Sequence, residues 1–244
     1  MGAIPTTLDD GAPARGGSRE LVLGAAAFLL LIAMQVYAIS ISQADRDMGH
    51  LQKIMYVHVP AAWSMMLAFF VVAVASLRYL WKGRENDDLL AAAAAESGAL
   101  LTGLTVALGM IWAKPTWGIW WTWDPRVTST AVLFFIYVGY LVLRAFVDDP
   151  DRRAQWSAAV GLLGALNVPI VYMSVRWWRT LHQVQSSPST VDPNFGLGLR
   201  INAIAFTVLL IFFIRHRYVT AKMEREAEHL NERAALGGLE IPHA

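Results

Sequence analysis

The chain of 244 residues has no cysteine, and charged residues make up only 16% of it. Without cysteine there are no disulfides, thiolate metal sites, CxxC redox motifs or C-x-x-C-H attachment motifs. A soluble domain normally carries about 25% charged residues to cover its surface, which this chain lacks. Its net charge of +1 also offers no bulk attraction for nucleic acid. The composition therefore predicts an integral membrane protein.

Long apolar runs are abundant, since hydrophobic residues make up 56% of the chain. About 20 helical residues cross a hydrocarbon core about 30 Å thick. Six segments have this length, which predicts an all-α, polytopic bundle of six transmembrane helices forming one domain. The first run is too long for the apolar region of a signal peptide, so we expect an uncleaved span. The predicted spans are 21–42, 59–81, 89–112, 127–147, 156–175 and 197–214.

The orientation follows from the basic residues, which accumulate on the cytoplasmic side of membrane proteins. With these six spans, thirteen of the twenty Lys and Arg residues fall on one side. We therefore expect a cytoplasmic N-terminal segment (1–20), a membrane domain (21–214) and a cytoplasmic, helix-prone tail (215–244). The loops at about 43–58, 113–126 and 176–196 would face outward.

Tryptophan is concentrated on this outer side, where eight of the ten tryptophans fall. An ordinary aromatic belt occupies both interfaces of the membrane, so the asymmetry favours a specific aromatic surface. Its centre is the segment 112–126, where Pro115, Gly118 and Pro125 argue against one long helix. A short helical turn between the prolines would place Trp117, Trp120 and Trp121 on one face.

Two histidines, His58 and His182, lie on the same side, each within a few residues of a tryptophan. Neutral imidazole is the commonest metal ligand in proteins. Haem iron would use both features, imidazoles as axial ligands and tryptophans against the flat ring. The propionates of haem need cationic partners, for which Arg126 is the best placed and Arg179 is another candidate.

The chain lacks a P-loop, a Ser-His-Asp arrangement and an H-E-x-x-H motif, so we expect a haem-binding factor without its own ATPase and not an enzyme. Two other functions are alternatives to this one. A b-type electron-transfer cytochrome would usually carry its histidines on facing helices inside the bundle. A transporter that moves haem through its own spans would need polar residues at mid-membrane, for which only Glu96 and Asn167 are candidates.

The motif W-G-x-W-W-x-W-D, from Trp117 to Asp124, is the signature of haem-handling membrane proteins of cytochrome c maturation. Three segments around it resemble the CcmC family, the haem exporter proteins C of bacterial System I. The resemblance covers roughly residues 20–215, and the larger CcmF and CcsA types normally have more spans and more histidines. One departure is Pro125, where the family commonly has alanine. The three segments are YVHVPAAWSM from Tyr56, KPTWGIWWTWDPRVTS from Lys114 and NVPIVYMSVRWWRTLHQ from Asn167.

The resemblance implies a function in c-type cytochrome biogenesis at the bacterial inner membrane. Non-covalent haem b would be held at the periplasmic face by the axial ligands His58 and His182, and offered to the haem chaperone CcmE. The small membrane protein CcmD and an ABC-type ATPase with its permease, CcmA and CcmB, would be further partners. The remaining residues expected to bind haem are Trp117, Trp120, Trp121, Trp123, Asp124, Arg126, Trp177, Trp178 and Arg179.

Overall fold

Six α-helices make up the fold, which the computed structural model describes for residues 15–184 and 190–237. In these ranges there is no β-strand, and each of the six helices is long and apolar enough to cross a membrane. The predicted all-α class and the six predicted spans are confirmed. The helices are α1 (Arg15–Ile41), α2 (Met55–Lys82), α3 (Glu85–Trp117), α4 (Pro125–Phe146), α5 (Pro150–Trp177) and α6 (Pro193–Gly237), with a short 3-10 helix at His50–Ile54.

Several helix boundaries differ from the sequence prediction. Helix α3 continues through Pro115 and ends at Trp117, so the predicted tryptophan loop of 112–126 is reduced to residues 118–124. No helical turn forms within 118–124. The tail predicted from residue 215 continues α6 without a break to Gly237. Residues 1–14 of the predicted N-terminal segment and 238–244 of the tail lie outside the described residues.

Helix α2 is the centre of the bundle and packs against α3, α5 and α6, while α1 packs mainly on α6. Small residues on α3, including the buried run Ala91–Ala95, let the helix backbones approach closely, as is usual in membrane bundles. The ring of Phe69 on α2 stacks on Tyr137 of α4, with 3.7 Å between ring centroids. This packing fixes the position of α2 and therefore of the residues in its first turns.

Ion pairs join the helices at one end of the bundle, which we call the charged end. Arg144 of α4 makes two bonds to Asp88 of α3, at 2.6 and 2.9 Å. Arg217 of α6 binds Glu96 of α3 through both carboxylate oxygens. Glu20 of α1 pairs with Arg215 of α6, which puts the start of α1 at the same end.

The opposite end, which we call the loop end, carries the segment between α1 and α2 and two further connections. One is the tryptophan loop, residues 118–124 between α3 and α4. The other follows α5, and its first described part, residues 178–184, is the His182 loop. The first turns of α2 also reach this end, where the amide of Gln35 on α1 donates to the Tyr56 carbonyl at 2.9 Å. The fold thus brings α2 and both loops to one end.

The Asp88–Arg144 pair generates a stability prediction. Asp88→Ala leaves a largely buried guanidinium without its carboxylate, so we expect a loss of about 3 kcal/mol in unfolding free energy. Denaturant titration of the protein in detergent micelles measures the free energy of unfolding. Asp148→Ala is the control, because Asp148 is exposed. Equal stability of the two variants would contradict the prediction.

Candidate functional site

A cleft opens at the loop end between α2, α3, α4 and α5. The space inside it and at its open mouth amounts to about 1330 Å³. Most of its lining is apolar or aromatic. The predicted site residues that line it are His58, Trp117, Trp120, Trp121, Arg126 and His182.

His58 and His182 face each other across this cleft. His58 lies in the first turn of α2 and is only 8% exposed. His182 lies on the His182 loop, and its ring centroid is 6.4 Å from that of His58, with 29° between the ring planes. A rigid helix therefore supplies one imidazole and a loop supplies the other.

The environment of His182 favours its neutral form. Burial is the main cause that lowers the pKa of its imidazole. The hydrogen bond to Gln183 opposes this shift, and the nearby guanidinium of Arg126 adds to it. Its Nδ1 lies 3.1 Å from the carbonyl oxygen of Gln183. A proton on Nδ1 donated to that carbonyl leaves Nε2 with a free lone pair, the state in which imidazole binds a metal.

Two tryptophans of α3 pack edge-on against the histidines. The ring of Trp112 lies 5.8 Å from that of His58, and the ring of Trp117 lies 6.4 Å from that of His182. Trp117 is the last residue of α3, which ends because Gly118 takes a left-handed conformation with φ of 79°. Lys114 donates to the Gly118 carbonyl at 3.0 Å and so helps to hold this turn.

Asp124 and Arg126 connect the tryptophan loop to the end of α5. Asp124 caps α4 and accepts a hydrogen bond from the Arg126 backbone N–H at 2.9 Å. The guanidinium of Arg126 lines the cleft and donates to the Tyr172 carbonyl at 2.9 Å. Its Nε also donates to the Ser174 hydroxyl at 3.4 Å. Arg126 therefore holds two helices together at the cleft.

The comparisons with known proteins identify the family. The family model described as heme exporter protein C matches residues 16–233. The chain belongs to this family. Heme exporter protein C of Bradyrhizobium diazoefficiens is 41% identical over 198 residues, which are 80% of this chain and 75% of that protein. That of Escherichia coli K12 is 33% identical over 214 residues, which are 86% of this chain and 87% of that protein.

A plant relative extends the comparison to mitochondria. The putative cytochrome c biosynthesis ccmC-like mitochondrial protein of Marchantia polymorpha is 38% identical over 183 residues, 75% of each chain. The residues matched by the heme exporter protein C model include both histidines and the whole tryptophan loop. As a member of this family with six membrane-length helices, the chain is a multi-pass membrane protein.

Some predicted site residues lie outside the cleft lining. Trp123 is 80% exposed, and Trp177 and Trp178 are about half exposed and pack on each other. Arg179 is exposed, and Asp124 is buried beside the cleft without lining it. The turn after α5 presents His182 to the cleft, while both Trp177 and Trp178 remain open to the surroundings. The expected roles of these five residues in binding stay predictions.

Other cleft residues were not predicted from the sequence. Trp112 belongs to the same tryptophan run, and its contact with His58 depends on how α2 and α3 pack. Methionines are numerous in the lining, and nothing in the sequence separates them from ordinary core methionines. The residues missed include Met48, Met55, Met65, Met66, Met110, Trp63, Trp112 and Tyr172.

Proposed function

We propose that this protein binds haem b non-covalently in the cleft and presents it to a haem chaperone for c-type cytochrome biogenesis. His58 and His182 are the axial ligands in this proposal. The observation that carries it is the imidazole pair, with ring centroids 6.4 Å apart, inside an apolar cleft lined with tryptophan. The names of the related proteins, heme exporter and cytochrome c biosynthesis proteins, agree with it.

The separation of the rings suits one metal between them. An imidazole nitrogen lies about 2 Å from a metal that it binds and about 1.1 Å from its own ring centre. Two imidazoles that bound one iron from opposite sides would therefore have ring centroids roughly 6 Å apart. Among the described residues no group of three or more His, Asp or Glu side chains is placed to hold a metal ion. A pair of imidazoles suits a metal whose other ligands come from a macrocycle, as in haem.

Two further observations fit haem at this position. The Nδ1 of His58 is buried and, within the described part of the chain, has no hydrogen-bond partner. Gly109 of α3 faces the same ring, and a Cβ at this position would lie 3.2 Å from His58 Cε1. The lack of a side chain at Gly109 therefore leaves His58 room to orient in the cleft.

The rest of the lining matches the two parts of a haem molecule. Trp117, Trp120 and Trp121 offer flat apolar surfaces to the porphyrin. Arg126 brings a cation to the lining, and a guanidinium can donate to a propionate through several N–H groups. When bound, haem supplies the iron that the imidazoles ligate, and this chain supplies orientation and protection from water.

The structure gives less support to the two alternatives. An electron-transfer cytochrome would hold both ligands on helices, but His182 lies on a loop beside an open cleft. A path for haem through the spans would need free polar groups. Glu96 binds Arg217, and the Asn167 amide donates to the Ser129 carbonyl at 2.8 Å. Both candidate polar residues of the path thus already join helices to each other.

The proposed location is the bacterial inner membrane, with the loop end in the periplasm and both termini in the cytoplasm. The excess of Lys and Arg on the side of the charged end supports this orientation. In this position a periplasmic chaperone of the CcmE type could reach haem in the open cleft. CcmD, CcmA and CcmB are the further partners that we propose from the family.

The axial ligands are tested by alanine variants purified in detergent. We expect His58→Ala and His182→Ala each to retain less haem and to shift the Soret band, and the double variant to retain almost none. The reason is that each change removes one iron–nitrogen bond. Visible spectra and haem content per protein measure it. His50→Ala is the matched control, because His50 is exposed and lies outside the cleft lining. Wild-type spectra in both single variants would disprove the assignment.

The space beside His58 is tested by Gly109→Val. The new side chain must displace the imidazole, and such overpacking costs about 1–3 kcal/mol, so we expect roughly fivefold or greater loss of haem affinity. Titration of the apoprotein with haem measures the affinity. The control is Gly139→Val, because a Cβ at Gly139 meets no atom within 4 Å. Equal affinity in the two variants would show that His58 is not held at this contact.

The orientation is tested by single-cysteine labelling, which the absence of natural cysteines makes straightforward. We expect an impermeant maleimide added to intact cells to label Thr122→Cys in the tryptophan loop. Lys82→Cys, at the C-terminal end of α2, should react only after the membrane is opened. Labelling in the reverse pattern would place the cleft in the cytoplasm.

A further inference from the structure

The carboxylate of Asp124 accepts hydrogen bonds from two separate segments of the chain, which its position in the tryptophan motif does not suggest. One carboxylate oxygen, Oδ1, accepts from the Arg126 backbone N–H at 2.9 Å and caps α4. The other, Oδ2, accepts from the backbone N–H of Leu181 at 2.7 Å. Leu181 immediately precedes His182. The carboxylate therefore joins the start of α4 to the His182 loop.

The surroundings of Asp124 argue against direct contact with a ligand. Its side chain is buried, with a residue exposure of 6%, and it is absent from the residues that line the cleft. Both of its oxygens already accept hydrogen bonds from backbone N–H groups. A carboxylate with this arrangement holds protein segments together, and it is poorly placed to bind a cofactor or a metal.

We propose that Asp124 is a positioning residue that holds the His182 loop and thereby sets the imidazole of His182 opposite His58. This inference rests on the proposed function, since the imidazole pair matters because it binds haem. Residues 178–184 have no helical hydrogen bonds of their own beyond the cap on α5, so their position depends on such ties. A hydrogen bond to a carboxylate is roughly twice as strong as one between neutral groups.

The chain contains a matched control for the capping function. Asp149 begins α5 as Asp124 begins α4, with proline at the next position in both helices. Its Oδ1 accepts from the Arg152 backbone N–H at 2.9 Å. Asp149 is exposed and lies between α4 and α5, at the charged end of the bundle. Loss of a cap alone can therefore be measured at Asp149, away from the cleft.

The first experiment uses the detergent-solubilised full chain without haem. Asparagine caps helices well but has a single acceptor oxygen, so Asp124→Asn cannot keep both hydrogen bonds. We expect the amide hydrogen of Leu181 to exchange roughly tenfold faster or more, while amides within α2 and α6 keep their protection. Hydrogen exchange followed by mass spectrometry measures this. Asp149→Asn should leave Leu181 unchanged, and equal exchange at Leu181 in all three proteins would overturn the proposal.

The second experiment adds haem to the same variants. We expect Asp124→Asn to show part of the spectral change of His182→Ala, and added free imidazole to restore the wild-type spectrum. The double variant Asp124→Asn, His182→Ala should match His182→Ala alone, because the two changes affect one ligand. Additive losses would mean that Asp124 acts elsewhere, and would overturn the proposal.

A second variant approaches the same hydrogen bond from its donor. Leu181→Pro removes the backbone N–H that donates to Asp124 Oδ2, while Asp124 can still cap α4. This variant therefore tests the same hydrogen bond if Asp124→Asn does not fold. We expect the same partial spectral change as in Asp124→Asn. A wild-type spectrum would show that the hydrogen bond between Leu181 and Asp124 does not position His182. If the wild-type protein binds no haem, the proposed function fails. The exchange of Leu181 in Asp124→Asn then still decides whether Asp124 holds the loop.

Discussion

The distance between the imidazoles of His58 and His182 is the constraint that the proposed haem site places on the loop end of this protein. His58 is carried by α2, the helix with the most extensive packing in the bundle, and its position is set by the core. His182 is carried by a loop, which is held by contacts such as the hydrogen bond from Leu181 to Asp124 and the ring contact with Trp117. A metal bound between them, as proposed, would require both rings at one separation. The position of the loop would then have to be as well defined as that of the helix.

The two ends of the bundle meet different physical demands. At the charged end, Asp88–Arg144 and Glu96–Arg217 join α3, which carries the buried run Ala91–Ala95 there, to α4 and α6. At the loop end, Asp124 accepts from the Leu181 N–H, Lys114 donates to the Gly118 carbonyl, and Arg126 donates to the Tyr172 carbonyl of α5.

Glu96, a charged residue in a predicted span, has a structural role that only the packing of the helices reveals. Glu96 alone in the sequence suggests either a polar path or a buried pair, because an ionised side chain in a membrane helix is costly. The structure pairs it with Arg217 of α6, 121 positions along the chain. The partner belongs to the continuation of α6 beyond the predicted span. This partner could not be found from the sequence, because the prediction ended the span of α6 at residue 214 and the helix continues to Gly237.

The sequence by itself determined the all-α class, the six spans and the family, because these depend on local composition and on motifs contiguous in the chain. The tryptophan motif, together with His58 and His182, correctly indicated the end of the molecule where the cleft lies, for the same reason. The tertiary structure alone decided which tryptophans line the cleft, that Trp112 contacts His58, and that Asp124 accepts from Leu181. Each of these depends on how separate helices and loops pack. Spacing along one chain carries no information on that packing, since residues 57 positions apart meet only after folding.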